Sequence, residues 1–213
     1  MPDFFVFTGL RFPRDGSVLS GVDVSVGAEE SVALFGPNGG GKSSVMRVIA
    51  GTIPKSRPLA PVAYLPQTPY MFRGSVHKNL TLGLDQQEMH EAEQLAEELG
   101  VEHLFAKPSS EVSVGEAQRI SLARTLASAA PLVLLDEPLA PIHAASRGDV
   151  AETIRRATAS RALLWSTHSI DAVRAAADRL VVIDGGEILQ EGPVTEVIGS
   201  PLNDRVADIV GAT

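Results

Sequence analysis

The sequence predicts an α/β fold with a mainly parallel sheet, and three observations carry that expectation. Short apolar runs recur at Val32–Phe35, Val62–Leu65, Leu132–Leu135, Ala162–Trp165 and Leu180–Ile183, each of a length suited to a strand buried on both faces. Segments with helical spacing stand between them, so consecutive strands are joined by crossovers and run parallel. The residues able to do chemistry follow directly after these runs, at the carboxyl ends where open α/β sheets bind ligands.

Taken in order, residues 4–7 and 22–26 are rich in Val and Phe and predict short strands of a hairpin-like sheet, with Pro13, Asp15 and Gly16 between them. Phe12 stands just before Pro13 and, by residue type alone, reads as core. The run Val32–Phe35 leads into Gly36-Pro37-Asn38-Gly39-Gly40-Gly41-Lys42-Ser43-Ser44, which contains G-x-x-x-x-G-K-S. Val45, Val48 and Ile49 follow at helical spacing. This is a phosphate-binding loop. Glycines remove Cβ atoms so that backbone N–H groups can curl around phosphate oxygens, and the helix points its positive end at them. Lys42 reaches β- and γ-phosphates in such a loop, and the Ser43 hydroxyl sits on Mg²⁺.

Gly51 is expected to close that helix, and a connector with Pro54, Pro58 and Pro61 leads to the strand 62–65, with Gln67 at its end. Residues 70–84 read as loop and short helix; 88–99 place Ala92, Leu95, Ala96 and Leu99 on one helical face, stopped by Gly100. Ser113-Val114-Gly115-Glu116 fits a capping box, predicting a helix over 114–129 that buries Ile120, Ala123 and Leu126 or Ala127. Asp136 and Glu137 end the strand 132–135. An apolar strand closed by Asp-Glu is the second half of a nucleotide site: Asp136 holds Mg²⁺, and Glu137 orients or deprotonates the attacking water. Helices near 147–158 and 170–177 flank the strand that ends at Thr167-His168, and Gly185-Gly186 forms a turn after the last run.

The chain's 213 residues suit one large domain, and 44% hydrophobic residues allow a sizeable core. A net charge of −8, without a basic stripe, argues against a dedicated nucleic-acid binder. Cysteine is absent, which excludes disulfides and thiolate metal sites. The N-terminus does not read as a secretion signal, and no apolar run approaches the roughly 18 residues that span a bilayer, so work at a membrane would need a partner there.

Five segments in order, GPNGGGKS at 36–43, YLPQ at 64–67, VSVGEAQR at 112–119, LVLLDEP at 132–138 and STH at 166–168, resemble the nucleotide-binding subunit of ABC transporters over nearly the whole chain. The resemblance implies a single ABC ATPase domain over 1–213. Its expected parts are a P-loop NTPase core with a mainly parallel sheet, a small antiparallel β subdomain, and an inserted α-helical subdomain at about 70–130. It implies ATP and Mg²⁺ as cofactors, Phe12 stacked on adenine, Gln67 reaching Mg²⁺ and the attacking water, and His168 on the γ-phosphate. Ser113, Gly115 and Glu116 would close on ATP held by a second ATPase subunit, in a homodimer or heterodimer. Transmembrane permease subunits would be the other partners, at the cytoplasmic face of the membrane.

The sequence departs from the family pattern where Val114 replaces a signature glycine, Val112 and Glu116 replace Leu and Gln, and His143 stands at the D-loop aspartate. These departures imply intact ATP binding with slower turnover. The three-proline connector implies a reduced antiparallel sheet. The C-terminal stretch from Glu191 resembles importer ATPases, with oxyanion importers as the nearest likeness, while Phe72-Arg73-Gly74-Ser75-Val76 resembles a stretch in some exporters. A soluble ABC-type ATPase acting on ribosomes or DNA is the alternative; a kinase or GTPase is disfavoured by the signature-like segment and the absence of N-K-x-D.

Overall fold

The computed structural model describes residues 4–14 and 17–211. Its centre is a sheet in the order β4-β5-β6-β3-β7-β8. The strands are β3 (Ser31–Phe35), β4 (Val62–Leu65), β5 (Leu132–Asp136), β6 (Ala162–Thr167), β7 (Arg179–Asp184) and β8 (Glu187–Pro193). All neighbours pair parallel except β7 and β8, which form a hairpin over Gly185-Gly186, both glycines at positive φ as a two-residue turn requires.

Side chains alternate across this sheet, and the alternation creates two cores. Ala33, Phe35, Val133, Leu135, Leu163, Trp165, Leu180 and Val182 face the helices α2 (Val76–Leu80), α3 (Gln86–Glu98), α4 (Val114–Ala127), α5 (Arg147–Ala157) and α6 (Ile170–Ala176). Val32, Leu34, Leu132, Leu134, Ala162, Leu164, Val181 and Ile183 face α1 (Lys42–Ile49) and a second sheet. That second sheet is the antiparallel pair β1 (Phe4–Arg14) and β2 (Ser17–Gly27). Helices α7 (Val194–Gly199) and α8 (Asp204–Val210) finish the chain against the first core.

β1 and β2 extend well beyond the predicted 4–7 and 22–26. An irregularity between Phe7 and Arg11 interrupts the alternation that would mark one long strand, with Gly9 at φ 63° and its N–H donating to Asp23 Oδ1 at 2.6 Å. Asp15 and Gly16 of the expected turn lie outside the described residues. Among the described residues, the connector 51–61 adds no strand to this pair.

Helix α3 starts earlier than predicted, at Gln86. Asp85 and Glu88 form a reciprocal capping box there, the same device expected and found at Ser113 and Glu116. Helix α4 is buried on nearly every side, Gln118, Ser121, Leu122 and Thr125 included, so it runs between α3, β4 and the strand ends rather than over the surface.

Candidate functional site: a cleft at the strand ends

β3 delivers the chain into Gly36, where the backbone presses on β7. A Cβ placed on Gly36 would lie 2.0 Å from the Ile183 carbonyl oxygen, so no other residue fits. The loop then turns through Gly41, at φ 117°, into α1, and among the described residues no side chain caps that helix. Its first N–H groups and the positive end of its dipole are therefore left for a ligand. Lys42 folds back over the loop, its Nζ donating to the carbonyl oxygens of Gly36 at 2.7 Å and Pro37 at 3.0 Å. Burial pushes the Lys42 ammonium below its ordinary pKa, while Glu137 and Asp136 pull the other way. A cleft of about 310 Å³ opens here, lined by Asn38, Gly39, Gly40, Gly41, Lys42, Ser43, Ser44, Gln67 and Glu137.

Opposite the loop stands the end of β5. Asp136 is buried, and its Oδ1 accepts from the Ser166 hydroxyl at 2.6 Å. The same Ser166 oxygen accepts from the Glu137 N–H at 2.9 Å. Glu137 has φ 50° and precedes Pro138, a left-handed conformation that a side chain rarely adopts. Its Oε2 lies 3.0 Å from Nδ1 of the exposed His168. Ser166 entered the reading of the sequence only within the segment STH at 166–168, with no role of its own.

The donor set suits Mg²⁺. A buried carboxylate with one oxygen engaged (Asp136), a hydroxyl at the helix start (Ser43) and an exposed amide (Gln67) are hard oxygen ligands, too few to hold the ion without phosphates.

The cleft does not include Ser113, Gly115 or Glu116. These stand at the N-terminus of α4, where the Glu116 carboxylate accepts from Ser113 N–H at 2.7 Å and from its hydroxyl at 2.8 Å. Those two bonds, the backbone one first, hold the Glu116 carboxyl below its ordinary range. Val114 is 69% exposed, and His143 is also on the surface. Gly115 packs so closely on the chain after Glu137 that a Cβ there would lie 3.1 Å from the Pro141 carbonyl oxygen.

The lining of the cleft does not include Phe12, the expected adenine platform. Its ring is buried in the core between the two sheets, paired across from Leu19, and the Arg47 guanidinium lies 5.4 Å from the ring centroid. The strand irregularity sets which β1 residues point inward, and Phe12 is one of them.

A second cavity, of about 360 Å³, lies under α5 and α6 against Trp165, with alanines 172, 175, 176 and 177 in its wall. It is the roomier of the two, yet it holds neither the phosphate loop nor Asp136 and Glu137.

Compared with known proteins, residues 19–140 match the family model described as ABC transporter. The chain is 33% identical over 220 residues to a molybdate/tungstate import ATP-binding protein of Thermococcus kodakarensis, covering 91% of this chain and 66% of that protein. It is 34% identical over 229 residues to a hemin import ATP-binding protein of Streptomyces coelicolor, covering 94% and 81%. The chain thus spans less than two thirds of the first of these relatives. A solved structure of the ATP-binding subunit of an ABC transporter superposes with a TM-score of 0.79 at 22% identity over 91% of each chain, a likeness of fold.

Proposed function

The chain belongs to the ABC transporter family, and from that premise we propose that it is the ATP-binding and hydrolysing subunit that powers solute transport across a membrane. The observation that supports this most is the meeting of Lys42, Ser43, Gln67 and Glu137 on one cleft, with Asp136 buried beside it. In the proposed complex, the β- and γ-phosphates take the N–H groups from Gly39 to Ser44, and Lys42 turns from its two carbonyls to them. Ser43, Gln67 and Asp136 would hold Mg²⁺, which would neutralise phosphate charge. Glu137 accepts a hydrogen bond or a proton from the attacking water. In the same reading His168, whose Nδ1 lies 3.0 Å from that carboxylate, donates to the γ-phosphate.

The other half of the site, in this reading, is Ser113 to Glu116 of a second ATPase subunit. Membrane permease subunits are the further partners, and the surface that favours them lies next to Gln67. Tyr70 and Phe72 are 68% and 50% exposed and stack edge to face at 4.8 Å, with exposed Leu82 following. No described helix is long and apolar enough to cross a membrane, so attachment at the cytoplasmic face would run through such partners. Import is supported by both relatives, and an oxyanion as the solute class by the molybdate/tungstate one.

Two measurements test the reading. Lys42→Ala should lower nucleotide affinity at least about tenfold, since a charge-assisted phosphate contact is worth about 1.5–3 kcal/mol. The wild-type chain should co-purify with a polytopic membrane protein encoded beside it; nuclease-sensitive association with ribosomes or DNA would overturn the transport assignment.

A further inference from the structure

Gln118 is fully buried on the second turn of α4, and it is poorly used as a core residue. Its Nε2 donates to the Pro138 carbonyl at 3.3 Å, while its Oε1 has no hydrogen-bond partner among the described residues. Turning the amide over would face two carbonyl oxygens at each other, so the donation to Pro138 fixes its orientation. A buried amide with one long bond and one orphaned oxygen gives less to stability than an apolar side chain of the same size. Packing therefore does not explain the glutamine. The carbonyl it reaches belongs to the residue after Glu137, whose left-handed backbone must be held from outside. Ser166 holds the Glu137 N–H from the β6 side, and Gln118 holds the Pro138 carbonyl from the α4 side, so the two bonds bracket the Glu137-Pro138 peptide.

We propose that Gln118 is a positioning residue. It fixes the backbone of Glu137-Pro138 so that the Glu137 carboxylate faces the phosphate cleft, and it ties that carboxylate to helix α4. The first turn of the same helix packs Gly115 on the Pro141 carbonyl, so α4 grips the segment after Glu137 at two places. Movement at the Ser113 end of α4 is thereby passed to Glu137 in the same chain. This inference rests on the role proposed above for Glu137.

The test uses Gln118→Met, similar in size without the amide, and Gln118→Glu, similar in shape but without the donor when ionised. The full chain is assayed with wild type and Glu137→Gln alongside. Either folded variant should lose about ten- to hundredfold in kcat, the scale of a misplaced catalytic group. KM for ATP and the Kd of a non-hydrolysable analogue should stay within about twofold, and the Met variant's Tm within about 4 °C of wild type. A purely structural role would instead lower Tm and nucleotide affinity together. Wild-type kcat in either folded variant, or a loss carried by affinity, overturns the proposal. If wild type does not hydrolyse ATP, or Glu137→Gln hydrolyses at the wild-type rate, the role of Glu137 fails and takes this inference with it.

Discussion

At Glu137 the chain accepts a backbone conformation that costs about 1–3 kcal/mol for a residue with a side chain, and the surroundings must hold it there. Ser166 does so with a single oxygen, donating to Asp136 and accepting from the Glu137 N–H. Ser166→Ala removes both bonds inside the core and should destabilise the protein by about 1–3 kcal/mol, read as a lower urea midpoint, and slow hydrolysis as well. Val114 poses a different problem. Its isopropyl group is 69% exposed at the start of α4, so Val114→Gly has little packing to lose. If this end of α4 meets ATP on a second subunit, Val114→Gly combined with His143→Asp should raise single-turnover hydrolysis on the order of fivefold, equivalent to about 1 kcal/mol of barrier. An unchanged rate in both single variants and the double variant contradicts the assignment of Ser113 to Glu116.

Between elements, Arg179 at the start of β7 joins three strands and a turn. It donates to both oxygens of Glu30, to Glu191 of β8 and to the Ser25 carbonyl of β2. Burial by itself would raise the Glu30 carboxyl, but bonds from Arg179 and the Gly27 N–H outweigh it and hold the pKa below the ordinary value. The stabilisation is therefore present above the unfolded glutamate pKa of about 4.3 and is lost as pH falls through the lower folded value. Glu30→Gln should cost about 1.5–3 kcal/mol at pH 7 and much less at about pH 3, seen as converging urea midpoints. The sequence revealed features whose signal is complete within a few residues: the phosphate loop, the Ser113 capping box, the two-glycine turn and the Asp-Glu strand end. It did not reveal pairings such as Ser166 with Asp136 or Gln118 with Pro138, separated by 30 and 20 residues, because such contacts exist only after the sheet and α4 assemble. The inward turn of Phe12 agrees with the reading of its residue type as core, while the irregularity near Gly9, which resets which β1 residues face inward, left no mark in the sequence. Asp85 as the start of α3 was legible and overlooked, since Asp caps as well as Ser does.

On the scale of the whole molecule, the sheet has one working edge and two very different helix ends. Helix α1 starts without a side-chain cap over the cleft, whereas the capping box at the start of α4 engages the Ser113 and Glu116 N–H groups, away from that cleft. In the proposed complex phosphate is bound at α1 and α4 is left to meet a partner, while Tyr70 and Phe72 offer a separate apolar surface beside Gln67. Whether Glu137 serves ATP held at Lys42 is decided by incubating Glu137→Gln with Mg²⁺ and labelled ATP, then measuring the retained nucleotide and the released phosphate. The variant should keep intact ATP, accumulate as an ATP-bound dimer and release almost no phosphate. Phosphate release at the wild-type rate would contradict that role.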